Sequence, residues 1–124
     1  MDLTPRRFAD TVVLAPAGRI DHGTAESFKD ALRPYLEHCA TGQQSLVLDL
    51  SGVDYISSAG LRVLMLARKQ AKAQGGTLVV AGLTPVVKEI FEISRFTVVF
   101  EVFESVRDAL VRVSPGAIAA FDAA

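Results

Sequence analysis

The chain has 124 residues, 50% of them hydrophobic and 22% charged, with a formal net charge of −1. This length allows one domain with a single core, and the charge balance gives no excess that would attract nucleic acid or an anionic membrane. The single cysteine, Cys39, has no partner in the chain for a disulfide. No apolar run approaches the roughly 20 residues that a membrane span requires, and the start MDLTPRRFAD does not resemble a signal peptide. We therefore expect a cytoplasmic globular domain.

Apolar runs rich in β-branched residues predict the strands. In chain order they are TVVLA with its continuation GRI (11–20), SLVLDL (45–50), TLVVAG (77–82) and TVVFEVF (97–103). The two middle runs are almost continuously apolar, which is typical of parallel strands covered on both faces. In the first run only Ala-Pro-Ala separates TVVLA from GRI, which predicts either a short hairpin or one bent strand.

Segments with helical period follow these strands. The four predicted helices begin near Thr24, Ser58, Thr84 and Ser105. This alternation predicts an α/β fold with a mostly parallel sheet of four or five strands and about four helices. We expect the domain to span 10–113, preceded by an N-terminal segment (1–9) and followed by a frayed tail (114–124).

The stretch DYISSAGLRVL (54–64) places two serines between a predicted strand and a predicted helix. Its S-x-G spacing is similar to the nucleophile elbow of hydrolases, but Ile56 stands where that motif needs a glycine. The only histidines, His22 and His38, lie upstream, so the usual order of serine, acid and histidine is impossible. Phosphate-binding glycine motifs and clusters of metal ligands are also missing from the sequence. We expect no enzymatic activity, no cofactor and no metal.

Two interpretations of the serines remain open. In the first, Ser58 or Ser57 only caps the following helix, which is worth about 1 kcal/mol. In the second, one of the two hydroxyls is modified. A phosphate at the start of a helix meets free N–H groups and the positive end of the helix dipole, and it would add nearly two negative charges without disturbing the core.

Two longer segments carry a resemblance to a known family. The string VLDLSGVDYISSAGLRVLMLARK resembles the signature of the STAS domain, specifically that of the stand-alone anti-sigma-factor antagonists, and GRIDHGTAESFKDAL resembles the family's other recurrent segment. The resemblance covers about residues 10–112. It implies a STAS-like single domain that binds an anti-sigma factor with serine kinase activity. Phosphorylation at the turn between strand and helix then releases the partner, and a serine phosphatase reverses the modification.

Carried onto this chain, the resemblance implies Ser58 as the phosphorylated residue, with Ser57 as the second choice. Against the common family form Asp-Ser-Ser-Gly-Leu, Ser57 replaces the aspartate and Ala59 replaces a serine. The residues expected to contact the partner are Asp21, Asp49, Ser57, Ser58, Ala59, Gly60 and Arg62.

A second function stays open for the same fold. In it, the protein is a STAS regulatory subunit of a membrane transport ATPase, and the serines only cap the helix. We expect a monomer or a weak homodimer, with no binding of nucleic acid and no direct insertion into a membrane.

Overall fold

The computed structural model describes residues 1–124 and contains seven strands and six helices. The strands are β1 (Arg6–Phe8), β2 (Thr11–Leu14), β3 (Ala17–Ile20), β4 (Ser45–Asp49), β5 (Gly52–Ile56), β6 (Leu78–Ala81) and β7 (Val102–Phe103). The helices are α1 (Ala25–Glu37), α2 (Ser58–Ala73), α3 (Pro85–Ile93), α4 (Phe96–Val99), α5 (Val106–Val113) and α6 (Pro115–Ala123). None of these helices has the length and apolar composition that crossing a bilayer requires.

The strands form a five-stranded sheet in the order β1-β2-β4-β6-β7 and a separate two-stranded sheet of β3 and β5. Only β1 is antiparallel to its neighbour, and all the other pairs are parallel. The predicted α/β fold with a mostly parallel sheet is therefore confirmed. The expected helix count of about four is too low, because α4 and α6 were not predicted as helices.

The segment from 11 to 20 is neither a hairpin nor one bent strand. Strand β2 pairs with β1 and β4, whereas β3 pairs with β5 in the second sheet. Pro16 lies between them and has no N–H to donate, so the ladder of β2 ends at Leu14. The change of sheet directs the end of β3 toward the start of α2, where the candidate site lies.

Alternating residues of the central strands enter two cores on opposite faces of the large sheet. Val12, Leu14, Leu46 and Leu48 belong to the larger core together with residues of α1, α2 and α3. The residues between them, such as Val13 and Val47, belong to a smaller core with residues of α5 and α6. This two-sided burial explains the continuous apolar runs in the sequence.

The run TVVFEVF (97–103) is only partly a strand, contrary to the prediction. Its first residues belong to α4, and β7 contains only Val102 and Phe103. Phe96 and Phe100 are four residues apart, so a helical turn places both rings against Phe91, with centroid distances of 5.5 and 6.2 Å. Packing of these rings overrides the β propensity of the valines.

The tail from 114 to 124 forms helix α6 rather than fraying. The buried Ser114 caps this helix by accepting a hydrogen bond from the Ala117 N–H at 3.2 Å, and its hydroxyl donates to Asp10 Oδ1 at 2.7 Å. Phe121 contacts Phe8 edge to face at 5.3 Å. The tail is thus part of the smaller core.

The N-terminal segment is also integrated into the fold, since β1 pairs with β2 and Leu3 is buried. Residue 10 is therefore not a structural boundary of the domain.

Candidate functional site

Ser57 is the N-cap of α2, and its hydroxyl is occupied. It follows directly after β5 with extended backbone angles, and its Oγ accepts a hydrogen bond from the Gly60 N–H at 3.3 Å. The Ser57 N–H donates to the carbonyl of Ile20 at 2.8 Å, which joins this loop to the end of β3. Ser57 is only 6% exposed. Capping and burial together leave this hydroxyl little freedom for other chemistry.

Ser58 differs from Ser57 both in burial and in hydrogen bonding. It is the first residue of α2 and is exposed, and its hydroxyl makes no hydrogen bond within the protein. Of the two serines that the sequence offers as the cap, the structure selects Ser57. The hydroxyl of Ser58 is accessible to an external reagent.

Gly60 lets the first turn of α2 approach the ends of β3 and β5. A Cβ atom added at this position would lie 2.7 Å from Ile56 Cγ1 and 2.8 Å from Ile20 Cγ2. Both isoleucines are buried, so their side chains have little room to move. The glycine therefore fixes how the Ser57–Gly60 loop sits on the two-stranded sheet.

Asp21 lies at the end of β3 and orders the loop that leads into α1. Its Oδ1 accepts hydrogen bonds from the Gly23 N–H at 2.9 Å and from Thr24 Oγ1 at 3.3 Å. Arg19 Nε lies 3.6 Å from Asp21 Oδ2. Partial burial raises the pKa of the Asp21 carboxyl, but the hydrogen bonds from Gly23 and Thr24 and the charge of Arg19 outweigh this effect, so that the pKa is lowered overall.

A stacked pair beside Asp21 was not predicted from the sequence. The guanidinium of Arg19 lies 4.5 Å from the centre of the Tyr55 ring, and the two residues are paired across β3 and β5. This pair can be recognised only when the pairing register of β3 and β5 is known. The burial of GVDYI does not alternate strictly, because Val53 and Ile56 are three residues apart and the pairing with β3 skips Asp54, so the sequence carried no clear period-two signal for the extra strand.

Asp49 lies away from the other residues that were predicted to contact the partner. It ends β4, and its Oδ1 accepts a hydrogen bond from the Ser51 N–H at 3.0 Å in the turn before β5. The whole of β5 separates this turn from Ser57. The structure therefore brings Asp21 and the Ser57–Gly60 loop together and leaves Asp49 outside the cluster.

The exposed side of α2 continues from Ser58 as a shallow groove. The groove is lined by Ser58, Leu61, Arg62, Met65, Leu66 and Lys69 of α2 and by Phe96 of α4. Helix α2 carries four basic residues and no acidic one. The predicted residue Arg62 thus lies on the same surface as Ser58, whereas Ala59 is half-buried beside it.

The structure contains no group of three or more side chains suited to hold a metal ion. The lone thiol of Cys39 is buried and donates a hydrogen bond to the Thr77 carbonyl at 3.3 Å. Burial raises the pKa of Cys39, so the thiol is kept in its protonated and unreactive form.

The fold and both recurrent segments agree with one known family. Residues 4–109 match the profile of the STAS domain. The chain belongs to the STAS domain family. This STAS protein is 38% identical over 105 residues to BtrV of Bordetella bronchiseptica, provisionally named an anti-sigma factor antagonist, with 85% of this chain and 88% of BtrV covered. It is 33% identical over 98 residues to the anti-sigma-B factor antagonist of Listeria monocytogenes, with 77% and 82% covered.

Solved structures show the same STAS fold. The anti-sigma factor antagonist SpoIIAA in its unphosphorylated form has a TM-score of 0.70 at 15% identity, with 88% of this chain and 93% of that chain covered. The phosphorylated form of SpoIIAA from Bacillus has a TM-score of 0.66 at 15% identity, with 90% and 98% covered. At this identity the likeness concerns the fold alone.

Proposed function

We propose that this STAS protein is an anti-sigma factor antagonist whose binding to its partner is switched by phosphorylation of Ser58. The observation that carries the proposal is the division of roles between the two serines. Ser57 is buried and caps α2, whereas Ser58 is exposed with a free hydroxyl. The names of the relatives BtrV and the Listeria protein support the general role.

The partner is an anti-sigma factor that is itself a serine kinase. It transfers the γ-phosphoryl group of a nucleoside triphosphate to Ser58 Oγ. The serine hydroxyl loses its proton, and the nucleoside diphosphate leaves. A serine phosphatase hydrolyses the ester and restores the hydroxyl. In this cycle the protein acts as a binding partner and a substrate, not as an enzyme.

The surface around Ser58 supports binding in the unmodified state. Asp21 projects a carboxylate with a lowered pKa beside the loop, and Arg62 adds an exposed cation to the groove. We include Asp21, Ser57, Ser58, Ala59, Gly60 and Arg62 in the interface; Asp49 lies outside this cluster and is left out of it. A phosphate that disrupts contacts worth about 3 kcal/mol lowers the affinity roughly 150-fold, which is enough to redistribute a shared partner.

The proposal is tested with four bait proteins in a lysate of the native organism: wild type, Ser58→Ala, Ser58→Asp and Ser57→Ala. Mass spectrometry identifies the retained proteins. The retained kinase is then purified and incubated with each bait and a nucleoside triphosphate, and the modified peptide is mapped. We expect the kinase to bind wild type and Ser58→Ala, to bind Ser58→Asp weakly, and to phosphorylate wild type and Ser57→Ala at Ser58.

Two results would contradict this proposal. Phosphorylation that persists in Ser58→Ala and disappears in Ser57→Ala would move the modified residue to Ser57. Equal retention of one membrane ATPase by all four baits, without phosphorylation, would identify the protein as a regulatory subunit of a transporter.

A further inference from the structure

Arg62 lies one helical turn after Ser58 on the same side of α2. Both side chains are exposed and line the same groove. Residues four apart on an α-helix face each other, with their Cβ atoms about 5–6 Å apart. The long arginine side chain can therefore reach a group that is carried on Ser58 Oγ.

The guanidinium of Arg62 has no partner in the unmodified protein. The ion pairs of the structure use other cations, namely Arg19, Lys29, Arg33, Arg107 and Arg112. Helix α2 contains no acidic residue that could compete for Arg62. An anion on Ser58 would meet a cation that is free to turn toward it.

The other charged groups near this loop are less available. At the end of β3, Arg19 and Asp21 pair with each other at 3.6 Å, and Arg19 also stacks on Tyr55. Helix α4 contributes only the apolar Phe96 to the groove, and the remaining cation of the groove is Lys69. Lys69 follows Ser58 by eleven residues, which is about 16 Å along a helix.

We propose that Arg62 is the internal counter-ion of the phosphate on Ser58 and thereby a positioning residue of the switch. This inference rests on the proposed function. A serine phosphate carries nearly two negative charges at neutral pH, and a guanidinium binds phosphate oxygens in a bidentate manner. The pairing holds Arg62 along α2. Phosphorylation then both adds negative charge and withdraws a cation from the groove that faces the partner.

The test places phosphoserine at position 58 by site-specific incorporation, so that no kinase is needed. The second pKa of the phosphate is measured by a ³¹P NMR titration in the wild-type background and in Arg62→Gln, Arg62→Lys and Lys69→Gln. We expect Arg62→Gln to raise this pKa from the wild-type value by about 0.2–0.4 units, the shift that one exposed helical ion pair supports. Lysine at 62 should restore part of the shift.

Lys69→Gln is the matched control. It removes the same charge from the same groove, but at a distance greater than the Debye length of about 8 Å at physiological ionic strength, and should leave the pKa unchanged. Equal pKa values in wild type and Arg62→Gln would overturn the inference, as would equal shifts in the two glutamine variants.

The experiments distinguish a failure of the proposed phosphorylation switch from a failure of the role of Arg62. A kinase that never modifies Ser58 would refute the proposed switch and leave the titration result standing. Modification of Ser58 in the cell without an Arg62-dependent shift would refute only the role of Arg62.

Discussion

The N–H of Ser57 donates a hydrogen bond of 2.8 Å to the carbonyl of Ile20. This bond joins the two segments that carry the family resemblance, and 36 residues lie between Ile20 and Ser57 in the sequence. It continues the parallel ladder of β3 and β5 by one further contact. The loop that presents Ser58 is thus held by the backbone of the neighbouring strand, and Asp21 is the first residue after that strand.

The two serines should differ in their effect on stability. Ser57→Ala removes the cap of α2 and leaves the Gly60 N–H without its acceptor, so we expect a loss of about 1 kcal/mol in the free energy of unfolding. Ser58→Ala removes an exposed hydroxyl and should change it by less than about 0.5 kcal/mol. Urea denaturation of both variants measures this difference. Equal losses would show that Ser58 also has a structural role.

Gly60→Ala should destabilise the protein even though Gly60 lies within a helix. Alanine normally stabilises a helix interior by about 1 kcal/mol relative to glycine. Here the new Cβ would lie 2.7 Å from Ile56 Cγ1, and overpacking of this kind typically costs about 1–3 kcal/mol.

The matched control is Gly116→Ala in α6, where the nearest heavy atom is Ala9 Cβ at 3.6 Å. This variant should keep or raise the melting temperature, whereas Gly60→Ala should lower it. Stabilisation by both substitutions would mean that the isoleucines beside Gly60 can move aside.

The contribution of Asp21 to stability should depend on pH. Its pKa is lowered in the folded protein, so its stabilising effect is fully present above the unfolded pKa of about 3.9 and is lost as the pH falls through the folded pKa. The variant Asp21→Asn keeps an acceptor oxygen but carries no charge.

The difference in unfolding free energy between wild type and Asp21→Asn should therefore be constant near neutral pH and should shrink below about pH 4. Urea denaturation at a series of pH values gives this difference directly. A difference that stays constant down to strongly acidic pH would contradict the lowered pKa.

Ser114→Ala should cost more stability than the loss of an ordinary helix cap. The buried hydroxyl of Ser114 accepts from the Ala117 N–H and also donates to Asp10. We expect a loss of about 2 kcal/mol, because both interactions end in one substitution. Ser105→Ala is the control, since the half-buried Ser105 caps α5 through the Asp108 N–H alone. Equal losses in chemical denaturation would show that the bond to Asp10 contributes nothing.

Local patterns determined much of the fold. The apolar runs at 45–50 and 77–82 predicted two central parallel strands, because a strand buried on both faces must be apolar at every position. Helical spacing after Thr24, Ser58, Thr84 and Ser105 predicted α1, α2, α3 and α5. These features depend on residues close together in the chain, so that the sequence displays them directly.

Contacts between distant residues decided the rest. Helix α4 forms because Phe96 and Phe100 pack against Phe91. The tail is ordered because Ser114 and Phe121 contact Asp10 and Phe8 at the other end of the chain. Local propensity carries no information about such partners, which is why the tail was expected to fray.

The sequence by itself determined that one of two adjacent serines begins a helix at the end of a strand, because apolar periodicity changes at that point. It could not show which of the two hydroxyls caps the helix and which is free, since Ser57 and Ser58 have the same chemistry and adjacent positions. The tertiary structure decided between them. Ser57 is buried where its N–H binds the end of β3, and Ser58 is exposed on the side of α2 that forms the open groove.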